Sequence, residues 1–138
     1  MKRYEIYDQD EEGSLRFDLK RILLGLPEEA RFDIWKLAEL EAVGPDVFAL
    51  EAKLATNESG ILLNWSVLLQ LAESFEQVIN LRLSGADQPI QQGDGGGRIL
   101  VLEVFDSTFW SVETNIGAAI FWLQTSFKDV RTVESASV

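Results

Sequence analysis

The 138-residue chain contains no histidine and no cysteine. Without an imidazole or a thiol, Ser-His-Asp and Cys-His nucleophilic catalysis are excluded. So are thiol redox chemistry, zinc sites built on Cys or His, iron–sulfur clusters and His-ligated haem. Basic residues are scarce: 12 Lys and Arg stand against 23 Asp and Glu, a formal charge of −11. Such a surface repels nucleic-acid phosphates and anionic lipid headgroups, so neither nucleic acid nor a membrane is an expected partner. Apolar runs are only a few residues long, too short to span a bilayer. No apolar signal-peptide core follows Lys2-Arg3, which makes the cytoplasm the expected location.

What is present is ordinary globular material, with 46% hydrophobic and 25% charged residues. A chain this long buries roughly 68% of its unfolded surface and needs no disulfide or metal to fold. No repeat or linker divides it, so residues 1–138 are expected to form one domain. Lys2–Tyr7 reads as a strand with Tyr4 and Ile6 on one face. Ser14 is placed to cap a helix presenting Leu15, Leu19, Ile22 and Leu26, although Leu15, Phe17 and Leu19 also alternate as a strand would. Positions 32–55 stay open between strand and helix: Trp35, Leu37 and Val43 alternate with charged residues, while Ala, Leu and Glu favour helix.

Further along, Asn64 or Ser66 caps a helix with Leu68, Leu71, Ala72 and Phe75 on one stripe. Val78–Leu83 alternates, 85–97 is a Gly-rich loop, and Ile99–Phe105 is apolar on both faces like a central strand. Asp106-Ser107 turns the chain into a strand over Thr108–Thr114. Asn115 is expected to cap a last helix carrying Ile116, Ile120, Leu123 and Phe127, and Val130–Val133 to add an edge strand. The pattern predicts an α+β fold: a mostly antiparallel sheet of five or six strands with two or three helices.

Candidate chemistry is sparse. Asp8-x-Asp10-x-Glu12-Gly13 opens like a calcium loop, but Leu19 occupies the position of the bidentate Glu and Arg16 a neighbouring ligand position. The glycines of Gly93-Asp94-Gly95-Gly96-Gly97-Arg98 precede a strand rather than a helix and lack the phosphate-loop spacing. Glu103 and Glu113 lie on neighbouring strands, a placement that would let them approach across the sheet. Asp106-Ser107-Thr108 has no base to activate its hydroxyl. No catalytic residue, cofactor or metal is therefore assigned. Trp122, beside Phe121, lies off the last helix's stripe and widens its apolar arc, as a homodimer contact through that face would require.

The runs Gly60-Ile61-Leu62-Leu63-Asn64-Trp65, Gln77-Val78-Ile79-Asn80 and Asp106-Ser107-Thr108-Phe109-Trp110, in about the C-terminal half, resemble small uncharacterised bacterial proteins of the toxin-immunity type. That resemblance implies an inhibitor of a toxin and transfers no functional residue. Combined with the acidity, it predicts a non-enzymatic protein that binds a basic protein, for example a toxin such as a nuclease. Asp8, Asp10, Glu11 and Glu12 are the first candidate contacts, with Glu39 and Glu41 second. The other expectation is a homodimeric α+β protein with a regulatory or ligand-binding role.

Overall fold

A computed structural model describes residues 2–9, 18–45, 47–87 and 97–133. Among these residues seven strands form one antiparallel sheet: β1 (Lys2–Ile6), β2 (Ile34–Val43), β3 (Ile61–Asn64), β4 (Gln77–Ala86), β5 (Ile99–Phe105), β6 (Phe109–Thr114) and β7 (Val130–Val133). Their order across the sheet is β3-β2-β4-β5-β6-β1-β7. Four helices accompany them: α1 (Leu19–Gly25), α2 (Val47–Ala55), α3 (Trp65–Ser74) and α4 (Gly117–Ser126), with a 3₁₀ turn over Glu28–Ala30. The α+β class stands as expected, with seven strands rather than five or six and four helices rather than two or three.

One core accounts for the layering. Tyr4, Ile6, Trp35, Leu37, Leu81, Leu83, Leu100, Leu102, Val104, Trp110 and Val112 fill one face of the sheet, and Leu19, Ile22, Leu23, Leu68, Ala72, Ala119 and Leu123 from the helices pack on them. Each fully buried Leu or Ile contributes roughly 1.5–3 kcal/mol. This face is made by strict alternation except at two bulges. The register of β2 against β4 slips between Leu37 and Glu39, and again between Glu41 and Ala42. An extra residue reverses the side-chain parity beyond it. Trp35 and Leu37 therefore face the core, and so do Leu40 and Ala42, while Glu39 and Glu41 face outward. The strand thus keeps a continuous apolar side that no single period describes.

Several local expectations are corrected. Helix α1 starts at Leu19, capped by Asp18, whose carboxylate accepts from Arg21 N at 2.9 Å; Ser14 lies outside the described residues. Positions 34–43 are strand and 47–55 helix, which resolves that ambiguity one way on each side of Gly44. Gly85, expected in a loop, is inside β4, because a Cβ there would sit 2.6 Å from Phe32 Cδ2 and 2.9 Å from Trp35 Cδ2. Asn64 caps α3 by accepting from Val67 N at 2.8 Å. Asn115 does not cap α4; it accepts from Ile99 N and donates to Gly97 O, both at 2.9 Å, and pins the start of β5.

Candidate interaction surface

Among the described residues the helices gather on the core side, so the opposite face of the sheet is built from strand side chains alone. Across its middle the pairing sets one residue from each of six strands in a row: Glu39, Arg82, Glu103, Ser111, Glu5 and Arg131. Neighbours in such a row interact directly, and opposite charges there are favourable. Arg82 reaches Glu103 at 3.2 Å. Glu5 is bridged by Arg3 at 3.4 Å and accepts the Tyr7 hydroxyl at 2.8 Å. The row is charged yet internally compensated, apart from Glu39 at its end, which makes no ion pair among the described residues.

Beside this row runs an aromatic strip. Phe105 and Phe109 face one another across the β5–β6 hairpin with ring centroids 5.3 Å apart. Tyr7 stacks on Phe109 at 5.0 Å, and the Arg131 guanidinium lies 3.9 Å from the Tyr7 ring centroid. The hydrogen bond to Glu5, with burial and the Glu5 charge adding to it, pushes the Tyr7 phenol above its ordinary pKa. The strip ends at a turn in which Asp106 (φ 51°) and Ser107 (φ 56°) both adopt left-handed backbone. Paired positive φ is the geometry of a tight hairpin, and each non-glycine residue there is strained. β4 holds it from the side: Asp106 N donates to Asn80 Oδ1 at 2.9 Å, Ser107 N to Ile79 O at 2.9 Å, and Ser107 Oγ to Val78 O at 3.0 Å. The bulge in β4 supplies these acceptors. Asn80 also donates to Glu41 at 2.7 Å, so Glu41 is tied to the same turn.

The candidate acids chosen from sequence fall in three places. Asp8 is 8% exposed. Its carboxylate accepts from the backbone N–H of Lys128 at 3.0 Å and of Asp129 at 2.7 Å, fastening the end of β1 to the start of β7. Asp10, Glu11 and Glu12 lie outside the described residues. Glu39 and Glu41 are exposed on the open sheet face. Glu103 faces Ser111 and Glu113 faces Val101, so the two acids sit diagonally, and Glu103 is committed to Arg82. Sequence reasoning missed Tyr7, Phe105, Phe109 and Arg131 as a group. The available signal was that Phe105 and Phe109 flank the turn symmetrically, on the parity opposite to Val104 and Trp110.

A further apolar side chain is exposed on α4. Phe121 is 67% exposed. Trp122 instead turns inward: its indole lies within 3.1 Å of a Cβ built on Gly25 and meets Phe127 edge-on at 5.3 Å. The pair is thus divided between packing and surface. Among the described residues, no group of three or more Asp or Glu is arranged to hold a metal ion, and no helix is long and apolar enough to cross a membrane. No protein-family model, no curated protein and no solved structure matches this chain.

Proposed function

We propose that this chain is a non-enzymatic acidic binding protein, of the toxin-immunity type, that acts in the cytoplasm by docking onto a basic protein. The observation that carries this reading is the sheet face on which no described helix packs. It joins three contiguous rings and an arginine to the carboxylates of Glu39 and Glu41, with Glu5 and Glu103 between them already paired to Arg3 and Arg82. Aromatic and arginine anchors inside a polar rim are the side chains that dominate binding energy at protein interfaces. The overall charge of −11 adds long-range attraction, which lifts association of oppositely charged proteins toward about 10⁸–10⁹ M⁻¹s⁻¹ at low salt. The test is capture from the source lysate with tagged protein at low salt and at about 0.5 M salt, where screening is strong. The captured protein is then purified, and its association and dissociation are measured against wild type, Glu39→Lys/Glu41→Lys and Phe105→Ala. A basic protein is expected, with slower association to the charge variant and faster dissociation from Phe105→Ala. Rates unchanged in both variants would remove the sheet face from the interface.

A second reading has its own observation. Phe121 and Leu24 (50% exposed) are large apolar side chains on the helical layer, and a homodimer through α4 would cover Phe121. Sedimentation at micromolar concentration decides it. A dimer that Phe121→Ser converts to monomer supports the second reading, and a wild-type monomer eliminates it.

A further inference from the structure

Where the open sheet face meets its β3 edge there is an open cleft of about 690 Å³. That volume lies within the range of sites that hold small ligands or peptide side chains. Four carboxylates line it, Glu28, Glu29, Asp33 and Asp87, against three cations, Arg31, Lys36 and Arg98, so it carries a small net negative charge. Arg31 donates to the carbonyls of Leu24 and Leu26, both at 2.8 Å. Arg98 is clasped in two-pronged fashion by Asp87 at 2.7 and 3.1 Å. The stem of Lys36 lies across Gly60. Three lining carboxylates, Glu28, Glu29 and Asp33, accept no hydrogen bond and form no ion pair among the described residues, and of these Glu29 lies within the field of Arg98. Beside them Ile34 and Leu62 are 52% and 71% exposed, an apolar wall without a cover.

The edge itself is open in a defined way. Trp65 N donates to Asp33 O at 3.0 Å, which extends the β2–β3 register by one pair. Hydrogen-bonded and non-hydrogen-bonded pairs alternate in an antiparallel ladder. Ile61 and Leu63 therefore direct their backbone groups to β2, and Leu62 directs its N–H and C=O away from it. No described residue pairs with them. An exposed edge of this kind is completed by an added extended segment, whose alternate side chains would fall on the cleft side next to Leu62.

We infer that the cleft and the β3 edge together receive an extended basic segment of the protein partner. Its lysine or arginine stems lie against Ile34 and Leu62, and their charged ends reach Glu29 and Asp33. Long basic side chains suit such a site because their methylene stems favour apolar surface while their heads seek carboxylates. The inference rests on the reading of this chain as a binder of a basic protein, and it locates one contact of that complex away from the aromatic strip.

The test uses the full chain and a fluorescein-labelled nine-residue peptide of alternating lysine and threonine, with binding read by fluorescence anisotropy at low salt. The variants are Glu29→Lys/Asp33→Lys in the cleft and Glu51→Lys/Glu76→Lys as a control, on α2 and just before β4, where neither residue lines the cleft or belongs to the sheet-face candidates. They change the net charge equally. Thermal melts establish that each is folded, and Glu29→Gln/Asp33→Asn against Glu51→Gln/Glu76→Gln serves if the reversed pairs are not. The expected result is a loss of about tenfold or more for the cleft variant, with the control variant within about twofold of wild type. A peptide with the same lysines grouped in one block should bind more weakly. Equal losses in the two variants would show attraction by net charge alone and overturn the cleft, leaving the broader binding reading intact. A loss confined to the control variant does the same. No binding to any form overturns the cleft, and the broader reading is then judged by its own capture experiment.

Discussion

Replacing Asp8 by alanine separates a structural acid from a recognition acid. The carboxylate bridges two backbone N–H groups more than a hundred residues away in sequence, at Lys128 and Asp129. In the same place Tyr7 N donates to Asp129 O at 2.9 Å, so the β1–β7 edge is sewn together by main chain and side chain jointly. Hydrogen bonds to an ionised acceptor are worth about 1.5–3 kcal/mol each, and truncation leaves both donors without it. Because these bonds are only part-buried, water recovers some of that loss, and a net cost of about 2–4 kcal/mol is expected for Asp8→Ala. For a chain of this length each kcal/mol moves Tm by about 3–5 °C, so the variant should melt roughly 6–20 °C lower. Asp8→Asn keeps one acceptor but turns an amide donor toward the other N–H, and should fall between alanine and wild type. Glu39→Ala, with no ion pair to lose, should stay within about 0.5 kcal/mol. Differential scanning calorimetry on the three variants makes the comparison. An Asp8→Ala melt within about 2 °C of wild type would refute the structural role and return Asp8 to the surface available for a partner.

Gly85→Ala should destabilise by about 1–3 kcal/mol, because the new methyl would overlap Phe32 and Trp35; a lowered denaturant midpoint at unchanged m-value is the signature. The raised pKa of Tyr7 means that the folded state holds the phenolic proton more tightly than the unfolded chain. That contribution is complete below the ordinary value near pH 10 and is lost as pH rises through the raised value. Phenolate absorbance in a Tyr4→Phe background should therefore titrate later than in the same background with Glu5→Ala, and identical midpoints would contradict the Tyr7–Glu5 bond. Asn64→Ala removes the cap of α3 and should cost about 1 kcal/mol in an equilibrium unfolding measurement.

How far the fold could be read from the residues depended on how locally each element is specified. The strip Ile99–Phe105 is apolar on both parities, and it is indeed interior, third strand or more from either edge. The cap at Asn64 and the turn at Asp106-Ser107 were legible because each is a short-range hydrogen-bonding event. By contrast, 34–43 carried two conflicting patterns. Trp35 and Leu37 count in one parity, and Leu40 and Ala42 in the other, which imitates the shorter apolar spacing of a helix. Only pairing with β4 produces the bulges that reconcile them. Asp8 likewise looked like one more member of an acidic run, since nothing near it in sequence names Lys128 and Asp129 as its donors.

The sequence by itself determined the chemistry this protein does without, its acidic character and its α+β class, since those follow from side-chain inventory and local periodicity. Tertiary structure decided which acids face solvent and which are spent on the backbone. It also gathered Tyr7, Phe105, Phe109 and Arg131 into one strip and left Glu28, Glu29 and Asp33 with no ion pair among the described residues, beside an open edge. Those outcomes depend on strand order and register, which bring distant residues together through backbone hydrogen bonds that every residue makes alike and no local pattern encodes.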